Sequence, residues 1–182
     1  SVCGFTLSPP IMGLGTVLDS YRLQYLLAET LGIVSDDIQV TVLGRHADDV
    51  LVDFDHCSVA GIGVRHLLGP KELEHVRSRL VEAGDAIIRL AGRNSSYYAP
   101  SVAVADIAEA VLKDTMGMFS VSHLAPDLWD AYPDLEGVAL SMPSVLGSEG
   151  VVRTMMPPLG DKALGVLGES ARKVRDLVDS WM

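Results

Sequence analysis

Two short stretches decide how this chain reads: Leu18-Asp19-Ser20-Tyr21-Arg22 and Gly44-Arg45-His46-Ala47-Asp48-Asp49. The first opens an amphipathic run from Leu18 to Leu31 that ends at Gly32, a residue suited to closing a helix in the left-handed conformation. Asp19 and Arg22 stand three residues apart, so a helix places both on one face. The second stretch follows the apolar run Ile38–Leu43, which reads as a strand, and His46 then falls on the loop leaving it. Brought together, these residues would set a carboxylate, an imidazole and a guanidinium around one pocket, a combination suited to proton transfer on a substrate that carries its own carboxylate.

Outward from these stretches, the chain alternates helix and strand periods. Pro9-Pro10 stops any helix in the loop and short strand expected over residues 1–15. A second extended segment is expected from Val50 to Phe54. Pro70 opens a long helix over 71–90, with Leu73, Val76, Leu80, Ala83, Ile87 and Leu90 at three-to-four spacing. Gly92-Arg93-Asn94 breaks it, and Pro100 starts another helix over 101–113. Met118–Val121, Gly137–Met142 and Val151–Met156 read as strands, with Ser148-Glu149-Gly150 as a hairpin turn between the last two. A final helix is expected over 161–181. Helices grouped beside antiparallel strands give an α+β class, here a single domain over residues 1–182 with one layered core.

Composition narrows the functions. A chain of 182 residues is 48% hydrophobic and 21% charged, as an ordinary globular domain is, and its net charge of −10 offers no basic cluster for nucleic acid. No apolar run reaches about 18 residues and no secretory pattern is visible, so a cytoplasmic location without membrane contact is expected. Cys3 and Cys57 are too few for a disulfide framework and read as inert thiols.

Other motifs yield to plainer readings. Gly13-Leu14-Gly15-Thr16-Val17-Leu18 has Leu at the third glycine position of a dinucleotide fingerprint and reads as a loop-to-helix turn. No Gly-Lys-Ser/Thr phosphate loop exists, so no cofactor site is expected in this chain. Asp48, Asp49, Asp53 and Asp55 with His46 and His56 match no standard ligand spacing, and a solvated loop accounts for them better than a metal site. His66, His75 and His123 read as surface or satisfied core residues. The polar run Asn94-Ser95-Ser96-Tyr97-Tyr98 could hydrogen-bond a ligand at a helix junction.

Taken together, these segments resemble the lactate and malate dehydrogenase family in its C-terminal, substrate-binding half. Gly15-Thr16-Val17-Leu18-Asp19-Ser20-Tyr21-Arg22 resembles the family's Gly-x-x-Leu-Asp-Ser-x-Arg helix, and Gly44-Arg45-His46-Ala47-Asp48 is similar to its Gly-x-His-Gly-Asp loop. Ser58–Ile62, Ser95–Pro100 and Val138–Gly147 also match, the second in the manner of the malate-type branch. By this resemblance His46 would be the acid/base, Asp19 its partner, Arg22 the clamp on the substrate carboxylate and Ser96 a small residue near the substrate. The resemblance also implies that the family's N-terminal dinucleotide-binding domain is absent, so NAD would enter only if a separate nucleotide-binding domain were supplied. A homo-oligomer or a nucleotide-binding partner chain is expected on the same ground.

The chain departs from the pattern at Ala47 (glycine in the family), Tyr21 (alanine) and Gln24 (often arginine), and the loop Val50–His56 is acidic where the family has a Val-Pro step. Those departures keep two alternatives open. One is a cofactor-independent lyase, isomerase or cyclase using the Asp19–His46 dyad on a carboxylate-bearing substrate. The other is a non-catalytic assembly domain.

Overall fold

A computed structural model describes residues 11–92 and 97–181. The expected residues Ser96, Asn94, Ser95, Cys3, Pro9 and Pro10 lie outside that range. Four helices, α1 (Val17–Leu31), α2 (Pro70–Ala91), α3 (Tyr98–Leu112) and α4 (Asp161–Asp179), flank short strands. These are β1 (Ile38–Gln39), β2 (Val42–Leu43), β3 (Leu51–Val52), β4 (Ser58–Val59), β5 (Ile62–Gly63), β6 (Gly117–His123), β7 (Leu140–Gly147) and β8 (Gly150–Thr154). The sheets run β1-β4-β5, β2-β3 and β6-β7-β8, and every strand pairing is antiparallel. The α+β class is therefore observed.

The helix ends follow local chemistry. Gly32 closes α1 at φ 68°, where a side chain would be strained, and its N–H returns to Ala28 O. Pro70 occupies the first turn of α2, and the Glu72 carboxylate accepts from Gly69 N–H at 2.7 Å. The α2 stripe buries Leu73, Val76 and Leu80, but runs past the core to leave Leu90 89% exposed.

Several strand boundaries differ from the sequence expectation. The run Ile38–Leu43 is two strands in two sheets, because Thr41 turns aside to serve the neighbouring loop: its O accepts from Asp53 N–H and its N–H meets Cys57 Sγ. Val50–Phe54 contributes only β3 before a 3-10 turn at Phe54–His56. Gly137–Met142 is displaced to Leu140–Gly147. Pro143 sits inside this middle strand because it lies beyond the last β8 pair, Ser144 with Thr154, where its missing N–H breaks no ladder bond. Ser148-Glu149 turns the β7–β8 hairpin as expected.

The expected single core divides into three apolar clusters. Leu23, Leu27, Val42, Leu73, Val76 and Leu80 lie between α1 and α2. Leu43, Leu140, Met142, Leu167 and Ala171 lie beneath α4. Val17, Ala103, Ala110, Val121 and Leu146 lie beneath α3. Each buried aliphatic side chain contributes ~1.5–3 kcal/mol. Helix α1 supplies two of these clusters. β2 splits between two as well, Val42 and Leu43 pointing to opposite sides as strand neighbours do. The start of α1 and the end of β2 are thus fixed by packing on several sides at once.

Candidate active site

Thr16 joins those two fixed points. Instead of capping α1, its buried hydroxyl donates to Val42 O at 2.9 Å, tying the helix start to β2. Ahead of it, Gly15 adopts φ 59° with its Cα against β6 and β7: a Cβ would come within 2.6 Å of Ser122 N and 2.7 Å of Ser120 O and Ser141 Oγ. Only glycine fits there. Beyond β2, Gly44 exchanges backbone hydrogen bonds with Ser141 of β7, both 2.9 Å, and adopts φ 87° before the chain leaves the sheet. His46 follows two residues later.

This arrangement brings the two stretches together. The His46 Nδ1–H donates to Asp19 Oδ2 at 2.6 Å, although 27 residues separate the two in sequence. The Asp19 side chain is only 6% exposed, while that of His46 is 53% exposed. The bond to Asp19 raises the His46 pKa above its ordinary value; burial and the Arg22 charge oppose the shift without reversing it. Asp19 thereby favours the Nδ1–H tautomer and leaves Nε2 free to take or give a proton.

Arg22, one helical turn from Asp19, places Nη1 3.8 Å from Asp19 Oδ1. It lies along α2 at Gly84, whose Cβ, if present, would be 3.9 Å from Nη1. Its side chain is 14% exposed, and its buried Nε has no hydrogen-bond partner among the described residues. A buried guanidinium donor without an acceptor is costly, and the planar fork of a guanidinium is the group that matches a carboxylate in bidentate fashion. His46, Asp19 and Arg22 therefore form one constellation. The His46 edge of it is open to solvent; a cavity of about 1010 Å³ lies elsewhere, lined by residues including Ile11, His123, Val138, Arg153 and Arg175.

The acidic loop is more ordered than a solvated loop. Asp53 is 7% exposed, accepts from Asp55 N–H at 3.2 Å and pairs with His56 Nδ1 at 2.6 Å. The three-residue spacing of Asp53 and His56 is the sequence signal for this pair, and it becomes visible once the segment turns at Phe54–His56 instead of continuing as a strand. No group of three or more His, Cys, Asp and Glu residues among the described ones is placed to hold a metal. His123 is a satisfied core residue, bonded to Leu124 O at 2.7 Å and Ser144 Oγ at 2.8 Å. Cys57 is free and buried, and burial pushes its thiol up to about 12. Tyr21 donates to Asp106 Oδ2 at 2.7 Å, linking α1 to α3. No helix among the described residues is long and apolar enough to cross a membrane.

Comparison with known proteins identifies the family. The lactate/malate dehydrogenase alpha/beta C-terminal domain family matches residues 16–180. The chain is 34% identical over 173 residues to L-lactate dehydrogenase of Deinococcus radiodurans, covering 91% of this chain and 54% of that protein. It is 30% identical over 168 residues to malate dehydrogenase 1 of Anaeromyxobacter dehalogenans, covering 92% and 53%. The solved malate dehydrogenase of Salinibacter ruber superposes with a TM-score of 0.88 at 30% identity, covering 97% of this chain and 56% of that one. Lactate dehydrogenase of Eimeria maxima, solved with NADH and oxamate, gives 0.86 at 26% identity, covering 93% and 52%. The chain spans about half the length of the curated relatives it matches. Since that family's domain is matched across residues 16–180, nearly the whole chain, this protein belongs to the lactate/malate dehydrogenase family, within its alpha/beta C-terminal domain.

Proposed function

We propose that this chain is the substrate-binding and acid/base half of a malate- or lactate-type 2-hydroxy acid dehydrogenase, working with a separate nucleotide-binding domain. The observation that carries this reading is the 2.6 Å His46–Asp19 bond beside a buried guanidinium with an unpartnered Nε. His46 Nε2 takes the substrate hydroxyl proton, and Asp19 stabilises the imidazolium that forms. Arg22 grips the substrate carboxylate, as a planar fork does and an ammonium does not. Ser96 stands in this reading as the small residue near the substrate.

The described residues do not fit NAD. All their strand pairings are antiparallel, and Gly13 pairs with Ser122 of β6 instead of opening a nucleotide-binding turn. A nicotinamide bound outside these residues would supply the hydride acceptor. The test is binding and turnover together. Oxamate should bind this chain and lose its affinity in Arg22→Met. With a nucleotide-binding domain supplied, oxaloacetate or pyruvate should be reduced by NADH, and His46→Asn should lower the rate ~10²–10⁴-fold. Turnover indifferent to His46→Asn, with no carboxylate binding, would refute the reading.

A second reading concerns assembly. Helix α3 exposes Tyr98, Val102, Val104 and Leu112 at 91%, 55%, 55% and 84%, an unusual apolar display for a free surface. This face supports a homo-oligomer or a seat for a nucleotide-binding domain. Light scattering at graded concentrations checks it: a strict monomer that also fails to bind a nucleotide-binding domain would count against it.

A further inference from the structure

The loop bearing His46 is held at a second point, independent of Asp19. Asp49, three residues after the imidazole, accepts from Arg45 Nε at 3.2 Å and Nη2 at 2.9 Å, and from Lys173 Nζ of α4 at 2.8 Å. Arg45 and Asp49 bracket His46, so one carboxylate both closes the loop and fastens it to the last helix. The Asp49 side chain is only 21% exposed. Burial pushes its carboxyl up, but Lys173 and Arg45 outweigh this and hold it below the usual carboxylate range. Between the brackets the loop has only two local backbone bonds, Ala47 N–H to Arg45 O and Val50 N–H to Ala47 O. His46, Ala47 and Asp48 are all exposed and gain little from packing. Apart from its anchored ends at Gly44 and Val50, the loop has few contacts of its own to hold the imidazole against Asp19.

We propose that Asp49, with Arg45 and Lys173, is a positioning residue that keeps the His46 imidazole on Asp19 and couples the dyad to α4. This rests on the acid/base reading above for its functional meaning, but the coupling itself is measurable without substrate. Asp19 and Arg22 of α1 are the charged groups that act on His46; Arg45, Asp48 and Asp49 stand in its own loop, and Lys173 reaches Asp49 from α4.

Charge and geometry predict opposite signs at Lys173. If Lys173 acted on His46 only through space, removing its positive charge would raise the histidine's pKa. If it acts by holding the loop, its removal loosens the Asp19 bond, the largest cause of the raised value, and lowers the pKa. The experiment is an NMR titration of His46 in the full chain, comparing wild type with Lys173→Met, Lys173→Arg and Asp49→Asn. Lys173 is 43% exposed, so its variants leave the core intact, which circular dichroism verifies. The expected result is a lowered midpoint and a lost low-field Nδ1 proton signal in Lys173→Met and Asp49→Asn, with wild-type behaviour restored in Lys173→Arg. A raised or unchanged midpoint in Lys173→Met overturns the proposal. Failure of the dehydrogenase reading is distinguishable: the titration shifts would persist while His46→Asn left turnover unaffected.

Discussion

Replacing Asp19 by Asn preserves the side chain's size and removes the charge that the His46 imidazolium faces. A hydrogen bond to a charged partner contributes ~1.5–3 kcal/mol, and here one partner is half in water, so the lower end, ~1.5 kcal/mol, applies. The cost should depend on pH in a definite direction. Because folding raises the His46 pKa, the stabilisation is fully present below the unfolded value of ~6.5 and is lost as pH rises through the higher folded value. Thermal unfolding of Asp19→Asn should therefore fall ~3–6 °C below wild type at pH ~5.5. The gap should narrow at pH ~9, where only the weaker 3.8 Å contact with Arg22 is still missed. Melting by circular dichroism across that range, with an NMR titration of His46 alongside, reads both quantities. A melting deficit equal at all pH values, with an unmoved His46 midpoint, would show that the 2.6 Å contact does not govern the imidazole.

Arg22→Met should leave stability within ~1 kcal/mol, since an apolar isostere replaces a buried ion with an unmet donor; oxamate affinity, read by calorimetry, should fall ~10–100-fold. Gly15→Ala should cost ~2–5 kcal/mol in urea unfolding, because a positive φ and three atoms within 2.7 Å leave no place for a Cβ. Leu27→Ala, at a fully buried site between α1 and α2, should cost ~2–5 kcal/mol by the same measurement. Cys57 should resist iodoacetamide at pH 8 in the native chain and react on unfolding, as followed by mass spectrometry.

Helices were legible because their periodicity and their boundary residues agree: Gly32 stands where the α1 stripe ends and Pro70 where the α2 stripe begins. Strands of two residues carry no such period. Nothing in Ile38–Leu43 announces that Thr41 will break the run to bond with residues 53 and 57, since those partners are distant in sequence. The hidden division of the core has the same origin. Asp19, Arg22 and His46 could be named because residue type and spacing restrict what they do, and motif likeness pairs them. Asp49 with Lys173 could not, because 124 residues separate them and an exposed lysine on a helix looks like any other.

Asp19 and Arg22 ride on a single turn of α1, so helix geometry fixes the separation of their backbone attachment points. The imidazole is different, borne on a span of backbone with two turns and one ionic clasp. If Arg22 seats a substrate carboxylate as proposed, accommodation of acids of different bulk would fall mainly to the histidine's side. Selectivity for chain length in this half of the molecule should then be altered by editing residues 45–49, and left untouched by editing the solvent face of the helix.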